Sequence, residues 1–384
     1  MLNHKLLLSS RKDSPCLGCA IVYDTERNWN YSLQNYTSVE QVAELNNYVG
    51  TSNVVTIPDS IVSYNTFFNT TYNGTSSILN STSGKTATSC FMGCRIKHRL
   101  TTMANMFYDS AKLMEVEEDI VGPRVTNMYK TFMYCRELVH GPTTIGKSVT
   151  NMRDAFYLCR NLVSAPATIP NSVVDMRETF MHCYNMVDAP TSIGKSVTDM
   201  YQTFYECRNI TDIPVTIPNS VVNMAMTFQK CINMVNGPIS IGDSVTNMYM
   251  TFYDCPSLKY APTIGNSVVN MQRAFYGCTN MNTVPTRIPD SVTDMRNTFG
   301  SCSSLVTAPI IGSAVVDMRD TFSDCTSLSG DIYIYSNNVS QTNGCFANTF
   351  LPKTLYVHLN SKTHNSFANE YANGESGVTI DFIT

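Results

Sequence analysis

The sequence predicts an α/β repeat solenoid, and three observations predict it. Met128, Met152, Met176, Met200, Met224 and Met248 are each 24 residues apart; Met271, Met295 and Met318 continue the series, and Met103 precedes it. A phenylalanine follows four residues after each of these, from Phe107 to Phe322, and a cysteine three residues later, from Cys135 to Cys325; Ser110 holds that place in the first unit. Most units then run through a proline into an Ile-Gly or Ile-Pro turn, as at Pro142 and Ile145-Gly146. Self-similarity at a fixed period of this length marks stacked supersecondary units rather than separate globular domains.

Within a unit the apolar positions are spaced by 3, 4, 3 and 3, as in Val173, Met176, Phe180, Cys183 and Met186. That is the spacing of one helix face, so each unit is expected to open with a short helix or helical turn. Ser172 stands where a helix entry favours a hydroxyl. The stretch from Leu162 to Ile169 reads as a short strand, and the Ile-Gly or Ile-Pro-Asn/Asp-Ser turn ends the unit. Five or six apolar side chains cannot offset the entropy of ordering 24 residues, so a unit is expected to be stable only when stacked on its neighbours.

The pattern Val-x-x-Met-x-x-x-Phe-x-x-Cys-x-x-Leu resembles the BspA-like leucine-rich repeats of bacterial surface proteins over residues 99–330. The resemblance implies a leucine-rich-repeat-like right-handed superhelix of about 24-residue units with a parallel sheet on one side. It also implies surface display and adhesion. Similar repeats occur in bacteriophage proteins, which leave the cell by lysis.

The flanks carry the pattern weakly or not at all. Residues 1–50 hold the single tryptophan, Trp29, and a segment, residues 39–48, that reads as a short helix; this part is either a docking module or an N-terminal cap. Residues 51–98 read as degenerate repeats and a loop. Tyr64 and Phe68 stand in the Met and Phe places, a Thr/Ser/Asn/Gly-rich loop covers 69–90, and Phe91 and Cys94 echo another unit. Residues 331–384 read as a C-terminal cap with strands at 331–335, 354–359 and 378–383 and a helix at 366–371.

The chain has 384 residues, 43% of them hydrophobic and 15% charged, with a net charge of −4. This balance gives no basic footprint for nucleic acid and no polybasic segment for a membrane surface. No apolar run reaches the ~18 residues of a membrane span, and the three leucines near the N-terminus fall short of a signal-peptide core. No membrane insertion and no classical signal peptide are therefore expected. The expected location is a virion or cell surface, with the cytoplasm as the alternative.

No catalytic constellation, metal site or cofactor site is expected. The nine repeat cysteines occupy a core position, where free cysteine behaves as a small hydrophobe. Cys16 and Cys19 form a lone CxxC, and zinc would need two further ligands at standard spacing. The six histidines show no metal pairing; His182 reads as a solvated residue. Asp175, Asp199, Asp294 and Asp317 share the place before Met with Asn127, Asn151, Asn223, Asn247 and Asn270, which reads as a row of capping or solvated groups rather than a calcium ladder.

The places after Met and after Phe are four apart and would share a helix face. They hold Tyr129, Arg153, Arg177, Tyr201 and Tyr249 in the first, and Tyr157, Tyr205, Tyr253 and Tyr276 in the second. Tyrosine and arginine are enriched in binding hot spots, so these nine are the ligand-binding candidates. The competing reading has the tyrosines packing between units with only their hydroxyls wet. Arg160, Tyr184, Arg208 and Tyr260 mark a second candidate face. The expected function is non-enzymatic adhesion to a host-surface protein or glycan, with residues 1–50 as a contact to other virion proteins; the alternative is an intracellular scaffold binding a protein partner.

Overall fold

A computed structural model of the chain describes residues 100–213, 215–358, 361–371 and 377–383 in full, together with the backbone of seven strands between Ile21 and Ser89. In the repeated region the expected helix is absent. Two residues after each methionine and two after each phenylalanine the backbone is left-handed, as at Lys130 (φ 55°) and Tyr134 (φ 67°), or Glu178 (φ 56°) and His182 (φ 62°). A left-handed residue every fourth position ends each helical turn as soon as it forms. The chain instead runs through consecutive tight turns, closed by bonds such as Thr131 N–H to the Met128 carbonyl (3.1 Å) and Cys135 N–H to the Phe132 carbonyl (3.0 Å).

The intervening N–H groups leave the coil. Met128, Lys130, Phe132 and Tyr134 donate to the carbonyls of Asn151, Arg153, Ala155 and Tyr157 at 2.8, 3.1, 2.8 and 2.9 Å. A helix satisfies its backbone internally, whereas this coil exports alternate N–H groups to the next and so cannot exist alone. Steps of three and four return a side chain inward once per turn in both geometries, so the apolar spacing by itself does not separate them. The backbone makes a different prediction. In a helix interior, Met250→Gly would cost about 1 kcal/mol. At its actual φ of 52° the change relieves left-handed strain, so Met250→Gly is expected to leave the unfolding midpoint unchanged or raise it, and Met250→Val to lower it. A drop of the helix-interior size for glycine in a denaturant titration would restore the helix.

The strand expected between Leu162 and Ile169 is reduced to single-residue parallel bridges, Ser164↔Asp188 and Thr168↔Ser192. A further row joins Asn127, Asn151, Asp175, Asp199 and Asn223 at intervals of 24. The parallel sheet of the fold is thus built from narrow ladders. Inside them the rows of Val, Met, Phe, Cys and Leu/Met/Ile are fully buried, as in Val173, Met176, Phe180, Cys183 and Met186. Phenylalanine rings stack from Phe107 to Phe346 with centroids between 5.1 Å, at Phe132–Phe156, and 5.6 Å, at Phe322–Phe346.

Two polar groups inside the stack fasten it. Thr227 donates from Oγ1 to the Met200 carbonyl of the preceding coil (2.8 Å) and the Met224 carbonyl of its own (2.7 Å). Cys207 donates from Sγ to the Phe180 carbonyl (3.1 Å), and the other repeat cysteines do the same one coil back. The cysteine is therefore a short buried donor as well as a small apolar group. All are free thiols, and burial pushes their pKa up, to about 12 at Cys255.

Ahead of the repeats, β1 (Ile21–Tyr23), β2 (Trp29–Tyr36), β3 (Glu40–Tyr48), β5 (Ser60–Ser63) and β6 (Thr66–Thr71) form one sheet in the order β1-β5-β6-β3-β2. The helix expected at 39–48 is therefore wrong: β3 pairs antiparallel with β2, from Trp29↔Tyr48 to Tyr36↔Glu40. Its short apolar run was compatible with either structure, and pairing with the strand just before it, across a three-residue connection, decided it. Phe68 does not hold a repeat position either; it lies on β6, opposite Ile61 of β5. The expected loop over 69–90 is interrupted by β7 (Thr86–Ser89). β4 (Val54–Ile57), β7 and β8 (Glu115–Val116) pair in parallel, and Glu115 bridges onward to His140, so this ladder runs into the repeats. Cys16, Cys19, Phe91 and Cys94 lie outside the described residues.

At the other end β9 (Gly330–Tyr333), β10 (Lys353–Val357) and β11 (Val378–Phe382) are parallel, near their expected places. The helix α1 (Lys362–Glu370) starts on Ser361, whose Oγ accepts the His364 N–H, and sets Phe367 and Tyr371 against Phe346, the last ring of the stack. Among the described residues no helix is long and apolar enough to cross a membrane.

Candidate binding face

The turns that replace the helix decide which side chains face outward. In most coils the places with some outward exposure are the one before Met, the two after Met, the two after Phe and the one after Cys, although Met133, Asp154, Glu206 and Gln229 at these places are buried. Stacking aligns each place into a column that runs along the solenoid.

The place before Met is structural. Asn127, Asn151, Asp175, Asp199 and Asn247 each accept, through Oδ1, the N–H of the residue after Met: Tyr129 (2.9 Å), Arg153 (2.9 Å), Arg177 (3.0 Å), Tyr201 (2.9 Å) and Tyr249 (3.0 Å). These are Asx turns, one per coil. They tie down the first candidate column. Arg177 forks onto Asp175, with Nε 3.0 and 3.1 Å from the carboxylate oxygens, and reaches Asp199 at 3.8 Å. Arg153 lies 3.7 Å from Asp154, and Lys130 sits over the Tyr129 ring at 4.9 Å. The arginines at this place are thus engaged by carboxylates, and the same motif recurs at Arg296 with Asp294 and Arg319 with Asp317. Asp154 is itself perturbed: burial, with Glu178 nearby, raises its carboxyl to about 6 against the pull of Arg153 and Lys130.

The second column forms a ring-to-ring path. Tyr157 meets Tyr134 edge-on at 5.7 Å and His182 at 5.8 Å; His182 meets Tyr205 at 5.3 Å and Tyr184 at 5.6 Å. Tyr108 extends the path to Tyr134 at 5.6 Å. Farther along, Tyr253 and Tyr276 stack in parallel at 5.1 Å, beside an open depression of about 540 Å³ lined by Lys230, Ile232, Pro256 and Gly277. Tyr157, Tyr205, Tyr253 and Tyr276 are all half-buried. Glu178 raises the pKa of both Tyr157 and Tyr201, after burial, so it lies near both columns.

Sequence reasoning missed Tyr108, Tyr134 and the part played by His182. The signal was an alternation: aromatic rings occupy the first place after Phe in one unit and the second in the next, as in Tyr108, Tyr134, Tyr157, His182 and Tyr205. Searching a fixed place hides that pattern. His182 is not a solvated residue. It is half-buried, burial lowers its pKa, and its Nδ1 lies 3.5 Å from Glu206 Oε2.

Alongside runs the column after Cys: Arg136, Arg160, Tyr184 and Arg208. Arg160 and Arg208, from the coils before and after, place their guanidinium carbons 5.7 and 4.8 Å from the Tyr184 ring centre. Arg208 also binds Glu206 at 2.8 Å, and Lys230 approaches that carboxylate at 3.6 Å. Burial pushes the Glu206 carboxyl up, but the Arg208 hydrogen bond and the charges of Arg208, His182 and Lys230 outweigh it and hold the carboxyl below its ordinary range. Among the described residues no group of three or more His, Cys, Asp or Glu side chains is placed to hold a metal ion. The arrangement offers aromatic edges, guanidinium forks and amides over several coils, which is the chemistry of a contact surface.

A family model described as "BspA type Leucine rich repeat region" matches residues 127–259 and 248–373. Among solved structures, the chain is similar to a leucine rich cell surface protein of Faecalibacterium prausnitzii, at 17% identity over 93% of this chain and 94% of that one, with a TM-score of 0.47. A leucine-rich repeat protein of Bacteroides ovatus gives 17% over 93% and 98%, with a TM-score of 0.45. The pneumococcal vaccine antigen PcpA gives 14% over 93% and 98%, with a TM-score of 0.47. No curated protein matches the chain.

Proposed function

Because the chain belongs to the BspA-type leucine rich repeat family, we propose that it is a non-catalytic adhesion protein that holds a host-surface ligand through the aromatic and basic columns of its outer turns. The observation that carries this reading is the ring path Tyr134–Tyr157–His182–Tyr205 with Tyr184 and its two arginines beside it. The inner rows hold the fold together, and these outer rings stay partly accessible. On this reading display is on a cell surface or a phage particle, and Tyr129, Arg153, Arg177, Tyr201 and Tyr249 frame the contact from the neighbouring column.

The test applies the labelled full chain to an array of surface glycans and extracellular-matrix proteins. Wild type is expected to give discrete hits. Tyr157→Ser with Tyr205→Ser should weaken them by roughly tenfold or more, the size of a hot-spot loss, with melting nearly unchanged. Val306→Ser, at an exposed place away from the rings, should leave them intact. An array without hits, together with an antibody to residues 99–330 that stains only the cytoplasmic fraction of the source, would sink the adhesion reading and favour a scaffold.

A further inference from the structure

Arg136, Arg160, Tyr184 and Arg208 occupy one column in four successive coils, and the coils are about one ring stack apart, 5.3 Å at Phe156–Phe180 and 5.5 Å at Phe180–Phe204. Arg136, Arg160 and Arg208 are exposed. Arg208 is engaged by Glu206, but among the described residues no carboxylate lies within ion-pair distance of Arg136 or Arg160. Beside this column, the place two after Cys carries an exposed amide ladder. Asn185 donates from Nδ2 to Asn161 Oδ1 at 3.2 Å, and Asn161 donates to Glu137 Oε2 at 3.2 Å. Each amide has two N–H donors and an acceptor oxygen, so one bond along the ladder leaves further capacity facing outward. The molecule as a whole carries a net charge of −4, whereas this strip brings Arg136, Arg160, Arg208 and Lys230 against Glu137 and Glu206.

We propose that this strip binds an acidic polysaccharide, a chain with carboxylates or sulfates on successive sugars; the proposal rests on the adhesion reading above and names its ligand class. Three features select that occupant. A guanidinium fork matches the oxygens of a carboxylate or sulfate, and two forks that rest on tyrosine rings, Arg136 on Tyr134 and Arg160 on Tyr184, but have no carboxylate partner stand one coil apart. The amide ladder beside them suits hydroxyl groups, which both donate and accept. The same contacts recur at each coil, so a repeating ligand engages several weak sites at once. An acidic peptide would need apolar anchor pockets, and the open depression at Lys230, Ile232 and Pro256 adjoins the far end of the strip, several coils from Arg136 and Arg160. A nucleic acid would need an open ring on which to stack, and Tyr184 is flanked by guanidiniums from both neighbouring coils.

The experiment passes the full chain over immobilised heparin, chondroitin sulfate, neutral dextran and polyglutamate, with melting recorded in parallel. Wild type is expected on both acidic glycans at low salt, not on dextran, and should be released as salt rises. Arg136→Gln with Arg160→Gln should bind roughly tenfold more weakly, the upper range for two exposed charge pairs, with the same melting temperature. Failure of wild type to bind heparin, equal binding by the double variant, or polyglutamate binding as tight as heparin would overturn the proposal. If array hits persist in the double variant, the adhesion reading stands and only the acidic-glycan assignment falls.

Discussion

Phe228→Ala is expected to cost about 3–5 kcal/mol of folding stability, the range for truncating a buried phenylalanine. Phe228 is fully buried and stacks on Phe204 at 5.5 Å and on Phe252 at 5.4 Å. Two circumstances place it in the upper part of that range. Stacked pairs contribute beyond their buried area, and this ring belongs to two of them. The void also cannot close easily, because the coils on either side are pinned, as by Phe204 N–H to the Thr227 carbonyl and Phe228 N–H to the Thr251 carbonyl, both at 2.9 Å. Phe228→Leu keeps most of the volume and should lose less than half as much. Guanidinium unfolding followed by far-ultraviolet circular dichroism measures both; a loss below about 1 kcal/mol for alanine would mean that the ring stack does not hold the coils together.

A second large effect comes from adding one methyl group. At Gly242→Ala the new Cβ would overlap the Pro218 carbonyl oxygen, with the carbonyl carbon at 2.7 Å and Asn219 Cα at 2.9 Å. These neighbours are backbone of the preceding coil and cannot rotate away. The following coil is just as close, since a Cβ on Gly265 would meet the Gly242 carbonyl. Gly194 and Gly312 abut the preceding coil in the same way, at Pro170 and Pro289. Overpacking commonly costs 1–3 kcal/mol, and about 3 kcal/mol is expected here because two coils must separate. Gly237→Ala is the matched control: its Cβ would meet Leu258 Cδ1 at 3.4 Å and Phe252 Cε1 at 3.5 Å, ordinary contact distances. It should be near neutral. Equal melting of the two variants would show that the close approach at Gly242 does not limit the stack.

The sequence-based expectations that failed share a physical cause. A list of inward positions at steps of three and four states which side chains are buried, and Val173, Met176, Phe180, Cys183 and Met186 are buried as the spacing requires. It does not state the sign of φ between them. Glu178 and His182 are ordinary residues with no local mark of a left-handed backbone, and only the bonds they send to the next coil hold them there. Residues 40–48 failed in a related way, since their strand depends on Trp29–Tyr36 as partner. At the candidate face, the helical assumption paired Arg177 with the residue four places on, whereas its guanidinium lies on Asp175 and Asp199. Tyr134 and His182 join Tyr157 and Tyr205 only when the coils are superimposed.

What the sequence determined by itself is the period, the inward rows of Val, Met, Phe, Cys and Leu/Met/Ile, and the family, because each copy repeats the same apolar positions and stacking the copies buries them together. Contacts between copies decided the rest: turns in place of helices, bridges in place of strands, cysteine and threonine as fasteners, and rings that meet across coils. Those contacts join residues 23 to 28 positions apart, as in Cys278 Sγ to the Phe252 carbonyl and Thr203 Oγ1 to the Met176 carbonyl. Local propensity acts over a few residues, so it has no access to them.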